Sequence, residues 1–190
     1  MPQLTPRQRA QRLALLPQAS HDAFDYAVQD AVAAARFAWP DAGDKPQRVA
    51  AALDAFDLGR LATRPLQALS GGERQRVALA SVMAQDAPLI LLDEPSNSLD
   101  LAHQAALQQQ IGRWRAQGKA VLLVSVELDE IMSLSDRILV IADGRIVGEL
   151  DGVAGQLGRR GERLHLRLTR ELTTCHTTLN AKVELADLHV

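Results

Sequence analysis

Cys175 is the only cysteine in the sequence, so no disulfide can close within the chain, a usage that fits a reducing cytosol. The five histidines are scattered and, with one cysteine, show no metal-ligand spacing. Aromatic residues amount to 3%, too few for a stacking surface against single-stranded nucleic acid. A formal net charge of -2 gives no global attraction to nucleic acid or an anionic membrane, and no nucleic-acid partner is expected. Long apolar runs are missing as well: "PLILL" and "AVLLVSV" are far too short to span a bilayer. The opening "MPQLTPRQRAQRLALL" has neither the apolar run nor the small-residue cleavage site of a secretory signal. These absences predict a soluble protein that reaches any membrane through a partner.

The 190 residues suffice for one domain with a sizeable core and at most an appendage. "RLALLP" reads as a short strand stopped by Pro17. From Phe24 to Leu58 apolar residues recur at helical spacing (Val28, Val32 and Ala35, then Val49, Leu53 and Phe56). "WPDAGDKP" splits that stretch into two helical parts. "GGERQRVALASVMAQD" predicts a helix opening at a glycine pair, with Val77, Leu79, Ala80 and Met83 as its apolar stripe. "PLILLDEP" is a continuous apolar run ending in acids, suited to a parallel strand buried on both faces. A helix from Leu101 to Gln117 follows, with Leu107, Ile111 and Trp114 on one face and Gly118 as its stop. "AVLLVSV" is a further buried strand, "ELDEIMSLS" a short helix, and "RILVIADGRIVGEL" a hairpin about Asp143-Gly144. Strands alternating with helices place this part in the α/β class with a parallel sheet core.

Beyond Leu150 the composition shifts. "DGVAGQLGRRGER" reads as a linker, and "LHLRLTREL" and "KVELADLHV" alternate as two strands that could pair. Arg159, Arg160, Arg163, Arg167 and Arg170 read as a solvated face. The expected division is a main domain over residues 1–150, helical over about 24–80, and a C-terminal extension of unassigned role over 151–190.

Two groups of residues could carry chemistry. Asp93 and Glu94 close a buried run, so a parallel sheet would deliver both carboxylates to its C-terminal edge, where ligands of α/β folds bind. One could serve a magnesium ion while its neighbour orients a water; equally, "DEP" could be an exposed turn. Gly71 and Gly72 would let backbone approach a phosphate at a helix N-terminus. Ser70 with Glu73 three residues on also has the spacing of a plain capping box.

The combination is more specific than its parts. "LSGGERQRVALA", then "LILLDEP", then "SLD" resembles the signature, Walker B and D-loop of the ATP-binding cassette (ABC) transporter ATPases, in their order and spacing. Gln18 of "LALLPQ" is placed like that family's Q-loop glutamine, and the resemblance covers roughly residues 4 to 150. It implies ATP and magnesium as cofactors. Ser70, Gly71, Gly72 and Glu73 would contact ATP held by an opposing subunit. Asp93 and Gln18 would serve magnesium, Glu94 and Gln18 would form the catalytic pair that handles the water and the γ-phosphate, and Asp100 would sit in the D-loop at the dimer seam. Residues Phe24 to Leu66 would face membrane-embedded permease subunits.

Two departures qualify that expectation. The G-x-x-x-x-G-K-[ST] loop that cradles phosphates occurs nowhere in the sequence. The only Gly-Lys pair, Gly118-Lys119, leads from helix into strand, the wrong order. Where most of the family has a histidine after the "AVLLVSV" strand, this chain has Val126 followed by Glu127. The fold expected is therefore an incomplete ABC-type P-loop NTPase domain, a parallel sheet with a helical signature subdomain but without the phosphate-loop strand.

The function implied is an ATPase component that couples ATP to import from the cytoplasmic face of a membrane, inactive alone for lack of the phosphate loop. The "LTPRQRAQRLALLPQ" and signature segments look most like importers of iron chelates, haem or cobalamin; the 126–150 end looks more like sugar and nucleoside importers. The alternatives are a non-catalytic half-site partner that supplies the signature in trans, a soluble cassette protein acting on DNA or ribosomes, and a truncated gene product.

Overall fold

The computed structural model describes residues 4–18, 26–40, 43–142, 144–151, 167–169 and 182–184. Contacts divide the chain into two compact units, Met1–Val126 and Glu127–Val190.

In the first unit β1 (Leu13–Leu16), β2 (Leu89–Asp93) and β3 (Ala120–Val124) form a parallel sheet in that order. Leu16 pairs with Leu92 and Asp93 with Val124, which fixes the register at the carboxyl edge. Ala14, Leu16, Ile90 and Leu92 are fully buried on one face. The opposite face differs from expectation: Leu13, Leu15, Leu89, Leu122 and Val124 remain between 37% and 53% exposed. The continuous run in β2 is thus buried on one side only, because the helices of the described residues cover a single face. An apolar run has no alternation to reveal which of its faces is covered.

Helices α2 (Val28–Ala34) and α3 (Lys45–Ala55) pack on α4 (Gly71–Gln85), around buried Val28, Val32, Phe56, Leu58 and Leu79. A 3-10 turn, Ala35–Ala38, follows α2 and precedes the break at "WPDAGDKP", within which α3 begins at Lys45. On α4 the buried stripe runs through Val77, Leu79, Ala80, Val82 and Ala84, while Met83 is only half-buried. The carbonyls that α4 leaves unpaired at its C-terminus are bonded by two side chains: buried Arg36 donates to Ala84 O (3.3 Å) and Trp39 Nε1 to Gln85 O (2.7 Å). Asp86 ends the helix at φ 57° and bridges Lys119 (2.6 Å) and Arg48 (2.9 Å).

Helix α5 (Leu101–Ala116) buries Leu107, Ile111 and Trp114 as its spacing predicts. It ends in a Schellman motif: Gly118 N donates to Arg115 O (2.9 Å) and Lys119 N to Trp114 O (3.0 Å), with Gly118 at φ 76°. Helix α1 (Pro6–Ala10) was not expected, although its box is legible: Thr5 accepts from Gln8 N (3.2 Å) and Gln8 returns the bond (2.9 Å).

The second unit holds α6 (Leu128–Leu134) and an antiparallel hairpin of β4 (Arg137–Ala142) and β5 (Arg145–Asp151), its register shifting between Val140 and Ile141. Gly144 takes φ 70°, as a tight hairpin turn requires. Arg137 pairs with Glu149 across it. Two short strands, β6 (Arg167–Thr169) and β7 (Lys182–Glu184), pair antiparallel where the tail alternates. Asp151, the first residue of the segment read as a linker, closes β5; the rest of that segment, with Arg159, Arg160 and Arg163, and Phe24, Asp143, Arg170 and Cys175 lie outside the described residues.

One-sided burial sets a contrast in stability. Leu92→Ala should cost roughly 2–5 kcal/mol in urea denaturation of the 190-residue chain. Leu15→Ala, on the half-exposed face, should cost about 1 kcal/mol or less. Equal losses would mean that the folded chain covers both faces.

Candidate functional site

The sheet register aligns three sites of interest. Because Leu16 faces Leu92 and Asp93 faces Val124, the residues two positions beyond β1, just beyond β2 and two beyond β3 share one carboxyl edge. These are Gln18, Glu94 and Val126, and Gln18 is exposed. Glu94 lies at φ 49° with its N–H bonded to Val124 O at 2.8 Å. Left-handed backbone at a glutamate costs roughly 1–3 kcal/mol, so neighbouring contacts must hold it.

A second cluster forms where α4 begins. Ser70 caps the helix: its Oγ accepts from Glu73 N (3.3 Å), and Glu73 Oε2 accepts from Ser70 N (2.7 Å). The box takes the N–H groups of Ser70 and Glu73. Helix geometry leaves those of Gly71 and Gly72 without an intrahelical acceptor, which suits them to an anion. Capping and anion contact are therefore compatible here, since the Ser70 hydroxyl that accepts one bond still has its own proton to donate.

This helix start borders a cleft of about 350 Å³ lined by Ser70, Gly72, Glu73 and Arg76 from one side and by Ser98 to Asp100 and His103 from the other. The structure thus brings Ser70, Gly72, Glu73 and Asp100 together, while Gln18, Asp93 and Glu94 are not among the residues lining that cleft. Arg76, Ser98 and His103 went unread in the sequence. Spacing alone could have found two of them, since Arg76 follows Glu73, and His103 follows Asp100, by one helical turn.

Gly72 has a steric role of its own. A Cβ built there would stand 2.7 Å from the backbone oxygen of Ser98, whereas one at Gly71 meets nothing within 4 Å. Ser98 itself is left-handed, at φ 66°. One helical turn after Gly72, Gln75 Nε2 donates to Pro95 O at 3.0 Å. The loop between β2 and α5 is therefore seated on the first turns of α4.

The acids of the cleft are held ionised. Glu73 lies below the ordinary carboxylate range, chiefly because Ser70 N donates to it, with smaller help from Arg64 and Arg76. Asp100 is lowered in the same sense, first by the His103 N–H (2.9 Å) that it caps and then by the His103 ring (2.7 Å). Arg76 is itself occupied, donating to Phe56 O and Asp57 O at 2.9 Å each.

Among the described residues no three His, Cys, Asp or Glu side chains converge on a point that could hold a metal. Magnesium commonly takes one or two protein oxygens and completes its shell with phosphate and water, so Asp93 with Gln18 fits such an ion only in the company of phosphate. Gly118-Lys119 fits neither ion nor phosphate: Gly118 is a helix C-cap, and Lys119 Nζ is engaged with Asp86 and with Ala87 O at 3.1 Å.

Gly72→Ala should lower stability by roughly 1–3 kcal/mol, because backbone must shift to admit the methyl group. Gly71→Ala should be neutral or slightly stabilising, and thermal denaturation compares the two. A second test uses pH. A carboxyl held low in the folded state stabilises fully above its unfolded value and loses that effect as pH falls through the folded one. Glu73→Gln should therefore lower the Tm at neutral pH and flatten its decline below pH 4.5, the ordinary value for this group. An unchanged acid slope would dismiss the capping-box charge as a contributor.

The sequence profile of the ABC transporter family matches residues 2–97. The hemin import ATP-binding protein HmuV of Nocardia farcinica is 39% identical over 148 residues, covering 76% of this chain and 51% of that protein. That of Streptomyces coelicolor is 44% identical over 141 residues, covering 72% and 50%. The chain thus spans about half the length of the curated relatives it matches. Among solved structures, the dimeric post-hydrolysis state of the ATP-binding cassette MJ0796, bound to ADP and Pi, aligns with a TM-score of 0.68 at 25% identity, over 76% of this chain and 65% of that one. The profile match and these relatives assign the chain: it belongs to the ABC transporter family.

Proposed function

We propose that this chain is the signature-bearing part of an ATPase that powers import of hemin or a related iron chelate, and that it acts on nucleotide held by an opposing cassette. The observation that carries this reading is the cleft shared by Ser70, Gly72 and Asp100, in a sequence where no phosphate loop occurs. The import class is supported by relatives whose names state hemin import.

In this reading Ser70 donates its hydroxyl proton, and Gly71 and Gly72 their N–H groups, to phosphate oxygens presented from the partner, with Glu73 bracing the turn. At this chain's own sheet edge, away from that cleft, Asp93 and Gln18 would hold magnesium in the company of phosphate, and the ion would neutralise phosphate charge there. Glu94 accepts a hydrogen bond from the attacking water and polarises it. Val126 contributes no hydrogen bond where a histidine would.

The partners are a second cassette subunit and permease subunits, which hold the chain at the cytoplasmic face of the membrane. Among the described residues no helix is long and apolar enough to cross a membrane. The helical segment up to Leu66 is the part that meets the permease. Residues 1–150 carry the cassette part, and 151–190 form an extension.

Most triphosphate affinity in P-loop proteins comes from the backbone cradle, its lysine and magnesium. Without them, the 190-residue chain titrated with Mg-ATP by calorimetry should give no saturable heat in the micromolar range. Adding a phosphate-loop cassette, slowed by a glutamine in place of its own catalytic glutamate, should produce ATP-dependent association that Ser70→Arg abolishes. Tight stoichiometric binding of Mg-ATP by the chain alone would overturn the proposal.

A further inference from the structure

The loop from Glu94 to Asp100 carries the water-polarising glutamate at one end and the D-loop aspartate at the other. Its backbone is held in conformations that L-residues rarely adopt: Glu94 at φ 49° and Ser98 at φ 66°. Such backbone persists only where surrounding contacts over-determine it. Part of that restraint is internal, with Asn97 N bonded to Glu94 O (3.1 Å) and Leu99 N to Ser96 O (3.0 Å). On the sheet side Glu94 N is tied to Val124 O.

On the helix side the restraint comes from α4. Gly72 and Gln75 lie three residues apart, hence on one face of the helix. Gly72 abuts the Ser98 carbonyl, and Gln75 donates to the carbonyl of Pro95, a fully buried residue. The two contacts therefore seat the loop at Pro95 and at Ser98. The intervening turn of helix is stiff, because Ser70 and Glu73 are locked to each other by reciprocal hydrogen bonds. A turn braced in this way would carry a displacement of Ser70 on to Gln75.

We propose that Gln75 is a positioning residue that ties the signature turn to the Glu94–Asp100 loop of its own chain, so that the state of the signature turn sets the geometry of Glu94. Ser70 and Glu94 serve different nucleotides in the reading above, one held by the partner and one at this chain's own sheet edge. Gln75 thereby couples the two nucleotide positions of a cassette pair. The mechanical link stands on the geometry alone; the coupling between nucleotides rests on the proposed function.

The test separates the two. Gln75→Glu is nearly isosteric but replaces the donor with an oxygen that repels the Pro95 carbonyl. Gln75→Lys keeps an N–H donor within reach. In amide hydrogen exchange on the 190-residue chain, Gln75→Glu should speed exchange at Asn97 and Leu99 about tenfold or more, leave α5 and β3 unchanged, and be rescued by Gln75→Lys. Unchanged exchange in Gln75→Glu, or equal loss in Gln75→Lys, would overturn the link. The second arm pairs each variant with a phosphate-loop cassette and Mg-ATP. There Gln75→Glu should lower kcat about tenfold at unchanged KM, again rescued by lysine. A change in KM alone would refute the coupling. If the wild-type pair neither binds nor hydrolyses ATP, the proposed function and the coupling built on it both fail, while the exchange result still decides the mechanical link.

Discussion

Helix α4 has to satisfy partners at both ends at once, and most of the first unit depends on its doing so. At its C-terminus the unpaired carbonyls are met by Arg36 and Trp39, side chains from the turn after α2. The capping residue Asp86 meanwhile joins Arg48 of α3 to Lys119 at the start of β3. Arg36 is nearly fully buried and keeps its charge paired through Asp44 at 2.8 Å, with the Trp39 ring 5.7 Å away. A buried guanidinium without that partner would be costly, so these contacts fix where the helix ends as much as they stabilise it. Fixing that end leaves the first turn little freedom, and the loop after β2 is built against it.

Much of this is legible in the sequence because it rests on local rules. The order of strand and helix, the glycine pair opening α4 and the Gly118 stop are each written within a few residues. Gly118-Lys119 could be dismissed as a phosphate loop from element order alone, and the Schellman bonds together with the Lys119–Asp86 pair give the physical reason. Capping and anion contact at Ser70 stood as alternatives in the sequence. The geometry makes them compatible, since one lone pair of the hydroxyl is used and its proton is not.

What stayed hidden depends on contacts between segments distant in sequence. The left-handed backbone at Glu94 and Ser98 has no glycine or asparagine to announce it, and it exists because α4 and β3 hold the loop from two sides. The steric reason for Gly72 lies in a carbonyl that follows it by more than twenty residues in the chain. Likewise the half-exposed sheet face cannot be inferred from "PLILL", since the run reads the same whether one face is covered or both.

The charges around the cleft bear on how such a surface could meet a triphosphate. Its two acids and its arginine are already engaged: Glu73 with Ser70 N, Asp100 with His103, Arg76 with the carbonyls of Phe56 and Asp57. No lysine lines the cleft. An incoming phosphate would therefore find backbone N–H groups and a hydroxyl, with no uncommitted cation to form a strong pair. Neutral donors of this kind contribute modestly one by one, so they discriminate the position of a phosphate better than they capture one from solution. In the proposed reading the cradle on the partner supplies affinity and the signature supplies position. Nucleotide would then favour the assembled pair over its separate halves by mass action, because only the pair presents both sets of contacts to the same phosphate.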